Sequence, residues 1–121
     1  MKTFTQKMIV EKKHAASELG SGFLDVFATP AMIAFMENTA SKVIDNLEEG
    51  YTTVGIEINV KHQKASKIGE QVSCIAILIK REKRIYDFEI TVTDSSDDVI
   101  GIATHKRAAV EIERFMRKVE E

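Results

Sequence analysis

Tryptophan is absent from these 121 residues, proline and cysteine occur once each, and glycine occurs six times. The single cysteine, Cys74 in an apolar run, excludes a disulfide framework and fits a reducing compartment, read here as the cytoplasm. So few prolines and glycines, with no low-complexity tract, leave no linker and no repeat, and residues 1–121 read as one domain. No secretory leader is visible, and no apolar stretch is long enough to span a bilayer, so no membrane is expected. Neither sign of charge dominates: 17 basic residues against 19 acidic give a net charge of −2. The lysines and arginines are scattered or paired with acids, which excludes the basic stripe that nucleic-acid binding needs.

Several motifs are missing too. There is no CxxC pair, HExxH, GxGxxG, P-loop or GxSxG, so dinucleotide, zinc-hydrolase and nucleotide-hydrolysing readings fall away. His14, His62 and His105 stand apart from one another and from acids or thiols at ligand spacing, so no metal and no cofactor is expected. A chain of this size can hold a core, yet often completes its burial against a second copy, so a homodimer is plausible from size alone.

What is present is one long helix and a set of alternating segments. Thr29-Pro30 is a helix start, because a threonine hydroxyl can cap free N–H groups and proline is preset for the first turn. Beyond it Met32, Ile33, Met36, Ala40, Val43, Ile44 and Leu47 recur at helical spacing and predict one buried stripe ending before Gly50. Glu37 lies about 40° from Ile33 around the helix, on the shoulder of that stripe.

Strands are predicted for Lys2 to Val10, Tyr51 to His62, Gln71 to Lys80, Ile85 to Thr93 and Val99 to Ile112. In the second, Val54, Ile56, Ile58, Val60 and His62 share a face. The run Cys74 to Ile79 predicts burial on both faces, in a central strand or one lining an interface. Glu11 to Gly22 reads as loop, Phe23 to Ala28 as a short extended entry to the helix, Arg81 to Arg84 as a hairpin tip, and Arg114 to Glu121 as a short helical end. One strand, one long helix and four antiparallel strands in meander order make an α+β fold of the hot-dog type, with the helix wrapped by a twisted antiparallel sheet of about five strands.

Thr29, Glu37 and His62 each have an ordinary explanation, as a cap, a solvated carboxylate and a core histidine. Together they supply a hydroxyl at a helix N-terminus, a carboxylate in an apolar setting and an imidazole on the core side of a strand. That combination serves as a nucleophile or water binder, an orienting acid and a general base. Thr29 and Glu37 are eight residues apart on the helix, roughly 12 Å along its axis, so they cannot hydrogen-bond directly. An intervening imidazole or a partner chain could close the gap, and spacing does not choose between them.

The run Val26-Phe-Ala-Thr-Pro30, then Met36-Glu37, Thr52-Thr-Val-Gly55, Val60-Lys-His62, Gly69, Ile100-Gly101, and Thr104-His-Lys-Arg107 leading to Glu113-Arg-Phe115 resembles the fluoroacetyl-CoA thioesterase family over most of the chain. The resemblance implies a dimeric hot-dog enzyme that hydrolyses acyl-CoA thioesters at sites in the subunit interface, with CoA entering only as part of the substrate. It also implies Thr29, Glu37 and His62 as the catalytic set, Gly55 beside the acyl group, Phe23 as an aromatic gate, and Arg107 near the CoA phosphates. Pro30 stands where the fluoroacetyl-specific member has glycine, and Gly20-Ser-Gly22 replaces a more rigid segment, so the departures bear on which acyl group is taken. The expected reaction is therefore hydrolysis of a short or small acyl-CoA. The rivals are an enoyl-CoA hydratase or dehydratase on the same fold and a non-catalytic acyl-CoA or small-ligand binding module.

Overall fold

A computed structural model describes residues 2–121. The strands are β1 (Thr3–Ile9), β2 (Tyr51–His62), β3 (Gln71–Glu82), β4 (Ile85–Thr93) and β5 (Val99–Glu111), and the helices are α1 (Ala16–Leu19), α2 (Thr29–Val43) and α3 (Ile112–Val119). They form one antiparallel sheet in the order β1-β3-β4-β5-β2. The α+β hot-dog expectation holds, but the meander is shorter than the alternation implied. Only β3, β4 and β5 follow one another, while β2 lies at the far edge against β5. Residues 63–70 are too long for a tight hairpin, and they are tied instead to the segment entering α2: Phe27 N–H donates to the Ser66 carbonyl, and Val26 bridges to Lys67.

Met32, Phe35, Met36, Thr39, Ala40 and Val43 of α2 are buried against the inward side chains of the sheet, among them Val72, Cys74, Phe88, Ile90 and Ile100. The stripe is rotated from its predicted centre, since Phe35 and Thr39 enter it and Ile33 is only half-buried. Thr39 is tolerated there because its hydroxyl donates to the Phe35 carbonyl at 2.7 Å. The helix stops at Val43 rather than continuing to Leu47. Ile44 is already extended, Asn46 takes a positive φ of 57°, and Asp45 is held by Lys2. Two further local differences appear: Glu11 to Gly22 contains a helical turn at Lys12–His14 and the short α1, and the hairpin tip shrinks to Lys83 and Arg84.

Two sheet expectations change as well. β3 alternates rather than burying both faces: Val72, Cys74 and Ala76 are fully buried, whereas Ile75 and Ile79 are 36% and 48% exposed. It is second from the edge, and β4 is the central strand. In β2 a bulge between Gly55 and Glu57 shifts the register against β5. Its extra residue reverses the alternation, so Gly55, not Ile56, shares the helix side with Ile58, Val60 and His62, and Ile56 is 52% exposed.

Candidate active site

The N-terminus of α2 meets the last residue of β2. Ala28 is the capping residue and Thr29 the first residue inside the helix, with no side-chain cap hydrogen bond. The Thr29 hydroxyl turns instead to His62, with Oγ1 2.8 Å from Nδ1. When Nδ1 is unprotonated, the hydroxyl donates to the ring, which is the arrangement in which an imidazole takes a proton from an attacking oxygen. Burial holds the His62 pKa below its usual value, keeping the ring neutral and able to accept. Phe27 sets its edge against the ring at a centroid distance of 6.3 Å. The other ring nitrogen, Nε2, is buried and has no hydrogen-bond partner in its own chain among the described residues. Thr29, His62, Phe27, Val26, Gln63 and Ala65 line a cavity of 270 Å³.

The chain leaving His62 is anchored. Lys64 Nζ donates at 2.7 Å to both Asp94 and Asp98 in the β4–β5 turn, and these bonds, that to Asp94 foremost, hold its pKa above the ordinary range.

Glu37 lies elsewhere. It is half-buried beside Gly55, near the start of β2, and among the described residues no hydrogen bond or ion pair joins it to Thr29 or His62. A Cβ on Gly55 would stand 2.7 Å from Glu37 Oε2, 3.2 Å from His105 Cε1 and 3.5 Å from Arg107 Nη1. The missing side chain of Gly55 is therefore the space that these three groups face. Arg107 is half-buried and folded onto β2: its Nε donates to Thr53 Oγ1 at 2.9 Å and its Nη2 to the Thr53 carbonyl at 3.0 Å. His105, 2% exposed, has Nδ1 2.7 Å from the Glu57 carbonyl and Nε2 3.2 Å from Arg107 Nη1.

The sequence-predicted site residues thus fall into two groups in one chain: Thr29 with His62, and Glu37 with Gly55 and Arg107. Six residues of β2 lie between Gly55 and His62, a separation of roughly 20 Å along an extended strand. Phe23 belongs to neither group in its own chain; it is fully exposed in the segment between α1 and α2. His105 is the site residue that sequence reasoning missed. Its signal was present, since His105 and Arg107 alternate on one strand face, but only the pairing of β5 with β2 brings them to Gly55 and Glu37.

The family model described as fluoroacetyl-CoA-specific thioesterase matches residues 10–113. A fluoroacetyl-CoA thioesterase from Streptantibioticus cattleyicolor is 35% identical over 98 residues, 80% of this chain and 70% of that protein. A solved structure of the fluoroacetyl-CoA thioesterase superposes with a TM-score of 0.92 at 30% identity, covering 98% of this chain and 92% of that one. A mutant of the fluoroacetyl-CoA-specific enzyme in complex with fluoroacetate and CoA superposes with a TM-score of 0.87 at 29% identity, covering 93% of this chain and 95% of that one. A thioesterase superfamily member from Thermus thermophilus shares the fold, with a TM-score of 0.88 at 22% identity, over 98% of this chain and 90% of that one.

Proposed function

The chain belongs to the fluoroacetyl-CoA-specific thioesterase family and is an acyl-CoA thioesterase, and we propose that it hydrolyses a short or small acyl-CoA at a site shared between two copies of itself. One observation carries the shared site: His62 Nε2 is buried without a partner among the described residues of its own chain, while Glu37, the carboxylate that would complete the set, lies beside the opposite end of β2. β2 is a sheet edge and can pair with its own copy.

In an antiparallel pairing about a two-fold axis through Asn59, allowing for the bulge at Gly55, Ile58 lies opposite the partner's Val60. Glu57 meets the partner's Lys61, a pair of opposite charge, and Gly55 comes beside the partner's His62. Glu37 of one protomer then faces the Thr29–His62 pair of the other. A Glu37 carboxylate accepting from His62 Nε2–H fixes the tautomer in which Nδ1 receives the Thr29 proton.

The chemistry follows from that relay. The Thr29 side supplies the attacking oxygen, its own or that of a water it holds, and His62 takes the proton. The oxyanion forms near the N-terminus of α2, where helix N–H groups and the positive dipole end favour negative charge. The C–S bond breaks and His62 returns the proton to the thiolate of CoA; where Thr29 itself attacks, a water deprotonated by His62 then cleaves the acyl–threonine ester and the proton returns to Oγ1, so that either way one water is consumed per acid released. No cofactor takes part. Phe23 and Arg107 are assigned to substrate binding, at the acyl entrance and toward the CoA phosphates, and Gly55 lies beside the acyl group. Action in the cytoplasm accords with Cys74, a free buried thiol whose pKa burial pushes up to about 11. No helix among the described residues is long and apolar enough to cross a membrane.

Subunit mixing tests the proposal. Thr29→Ala and Glu37→Gln homodimers are each expected to release CoA thiol slowly, but their mixed dimer regains one intact site, because both changes fall in the other. Light scattering establishes the dimer beforehand. A monomer with full activity, or a mixture no faster than its components despite subunit exchange, rules out the shared site. Loss of enoyl-CoA absorbance without thiol release would indicate a hydratase instead.

A further inference from the structure

His105 has no part in the relay just described, yet it is 2% exposed in a strand that borders the Glu37 group, and both its ring nitrogens are engaged. A buried imidazole with two partners is constrained in its protonation. Nδ1 faces a main-chain carbonyl, which can only accept, so Nδ1 carries the proton. Nε2 faces Arg107 Nη1, a guanidinium nitrogen that can only donate, so Nε2 is the acceptor. One ring state satisfies both neighbours: neutral, with the proton on Nδ1. The tautomer is assigned by its partners, as second-layer histidines are in other sites.

We propose that His105 is a positioning residue that orients Arg107 toward Glu37. Thr53 grips the guanidinium through Nε and Nη2, and His105 supplies the third contact at Nη1, the nitrogen that faces the Gly55 space. With all three contacts made, the cation is held where its field acts on the Glu37 carboxylate. Glu37 has no direct hydrogen bond among the described residues, so that field and the absent Gly55 side chain define where the carboxylate rests. The inference rests on the proposed catalytic role of Glu37.

The groups that face His105 are Glu37 from α2, Arg107 on its own strand, the Glu57 carbonyl from β2 and the uncharged Phe88 ring from β4. Burial, more than any of these, lowers the His105 pKa. Protonation would turn Nε2 into a donor against the Arg107 cation, breaking the contact and adding like-charge repulsion. The Arg107 position is therefore available only while His105 is neutral, and acid removes it separately from any effect on His62.

Two variants and one spectroscopic measurement test this. His105→Leu removes both contacts and is expected to lower kcat for acyl-CoA hydrolysis by about tenfold or more, with a smaller rise in KM, since Thr53 still holds Arg107 through Nε and Nη2 while the Nη1 contact that aims it at Glu37 is lost. His105→Gln can set a non-titrating carbonyl where Nε2 stood, to accept from Arg107, and is expected to recover most of the turnover. It should also make the acid limb of the kcat profile shallower, from about two protons toward one, leaving His62 to titrate alone. Nitrogen-15 imidazole spectra of the parental protein at neutral pH should show His105 protonated at Nδ1 and bare at Nε2. The proposal is overturned by a folded His105→Leu variant with parental kcat, by an unchanged acid limb in His105→Gln, or by a proton on Nε2. If the leucine variant does not fold, the glutamine profile and the spectrum decide. Failure of the underlying reading looks different: the parental dimer would release no thiol, while the tautomer would still be measured.

Discussion

At Thr29 a local rule and a tertiary contact compete, and the contact prevails. A threonine before proline is well suited to cap a helix, but α2 begins one residue earlier, at the Ala28 cap, and the Thr29 hydroxyl is left for His62. This separates two consequences that a cap would join. Thr29→Ala should leave the melting temperature close to parental, because no cap hydrogen bond is lost, rather than costing the ~1 kcal/mol of a deleted cap. The same change should lower steady-state thiol release on the order of 10²-fold, equivalent to about 2.7 kcal/mol of barrier, and Thr29→Ser should remain active. An alanine variant that melts lower yet turns over at the parental rate would return Thr29 to capping. Gly55 is the counterpart beside Glu37, where a Cβ would stand 2.7 Å from the carboxylate oxygen Oε2.

Among the elements, the contact of α2 with β5 sets the geometry of the Thr29–His62 pair. Gly101 of β5 lies opposite His62 in the register with β2, and beneath Met32, one turn along α2 from Thr29. A Cβ at Gly101 would stand 2.5 Å from Met32 Sδ and 2.6 Å from its Cε. Met32 is fully buried, so its side chain has no solvent to move into. Gly101→Ala should therefore overpack the interface and destabilise the fold by about 1–3 kcal/mol. Urea unfolding should show a lower midpoint at unchanged slope. Catalysis should fall too, because lifting α2 draws Thr29 away from His62; an alanine variant as stable as the parent would mean that Met32 adjusts without cost.

For the molecule as a whole, the titratable groups predict how stability falls with acid. His62 and His105 have folded-state pKa values below 6.5, each chiefly through burial, so the unfolded chain binds protons that the folded chain refuses. Stability is then complete above pH 6.5 and declines as pH falls below it. A second decline follows from Glu70 and Asp94. Their carboxyl pKa values are held below the usual 4.5 and 3.8, Glu70 first by the Ser95 hydroxyl and Asp94 first by Lys64. Carboxylates of this kind stabilise the fold above their unfolded values and cease to do so as pH falls through their folded ones. Thermal melts between pH 8 and pH 3 should show both stages, and a melting temperature flat from pH 7 to pH 5 would contradict the histidine part.

The amino-acid order by itself determined most of the elements and nominated the candidate residues. Period-two alternation in Ile85 to Thr93 and helical spacing after Thr29-Pro30 are local patterns, legible because side-chain direction follows from backbone periodicity, whereas Thr29, Glu37 and His62 stood out as a set only through the family resemblance. Tertiary structure decided what local patterns cannot carry. The β2 bulge moved Gly55 to the helix side and turned Ile56 outward, because one extra residue reverses every facing beyond it. Pairing of β2 with β5 rather than β3 brought His105 and Arg107 to Glu37 from residues far along the chain. The separation of Glu37 from Thr29 and His62 likewise depends on where a helix crosses a strand, a distance in space that sequence separation does not encode.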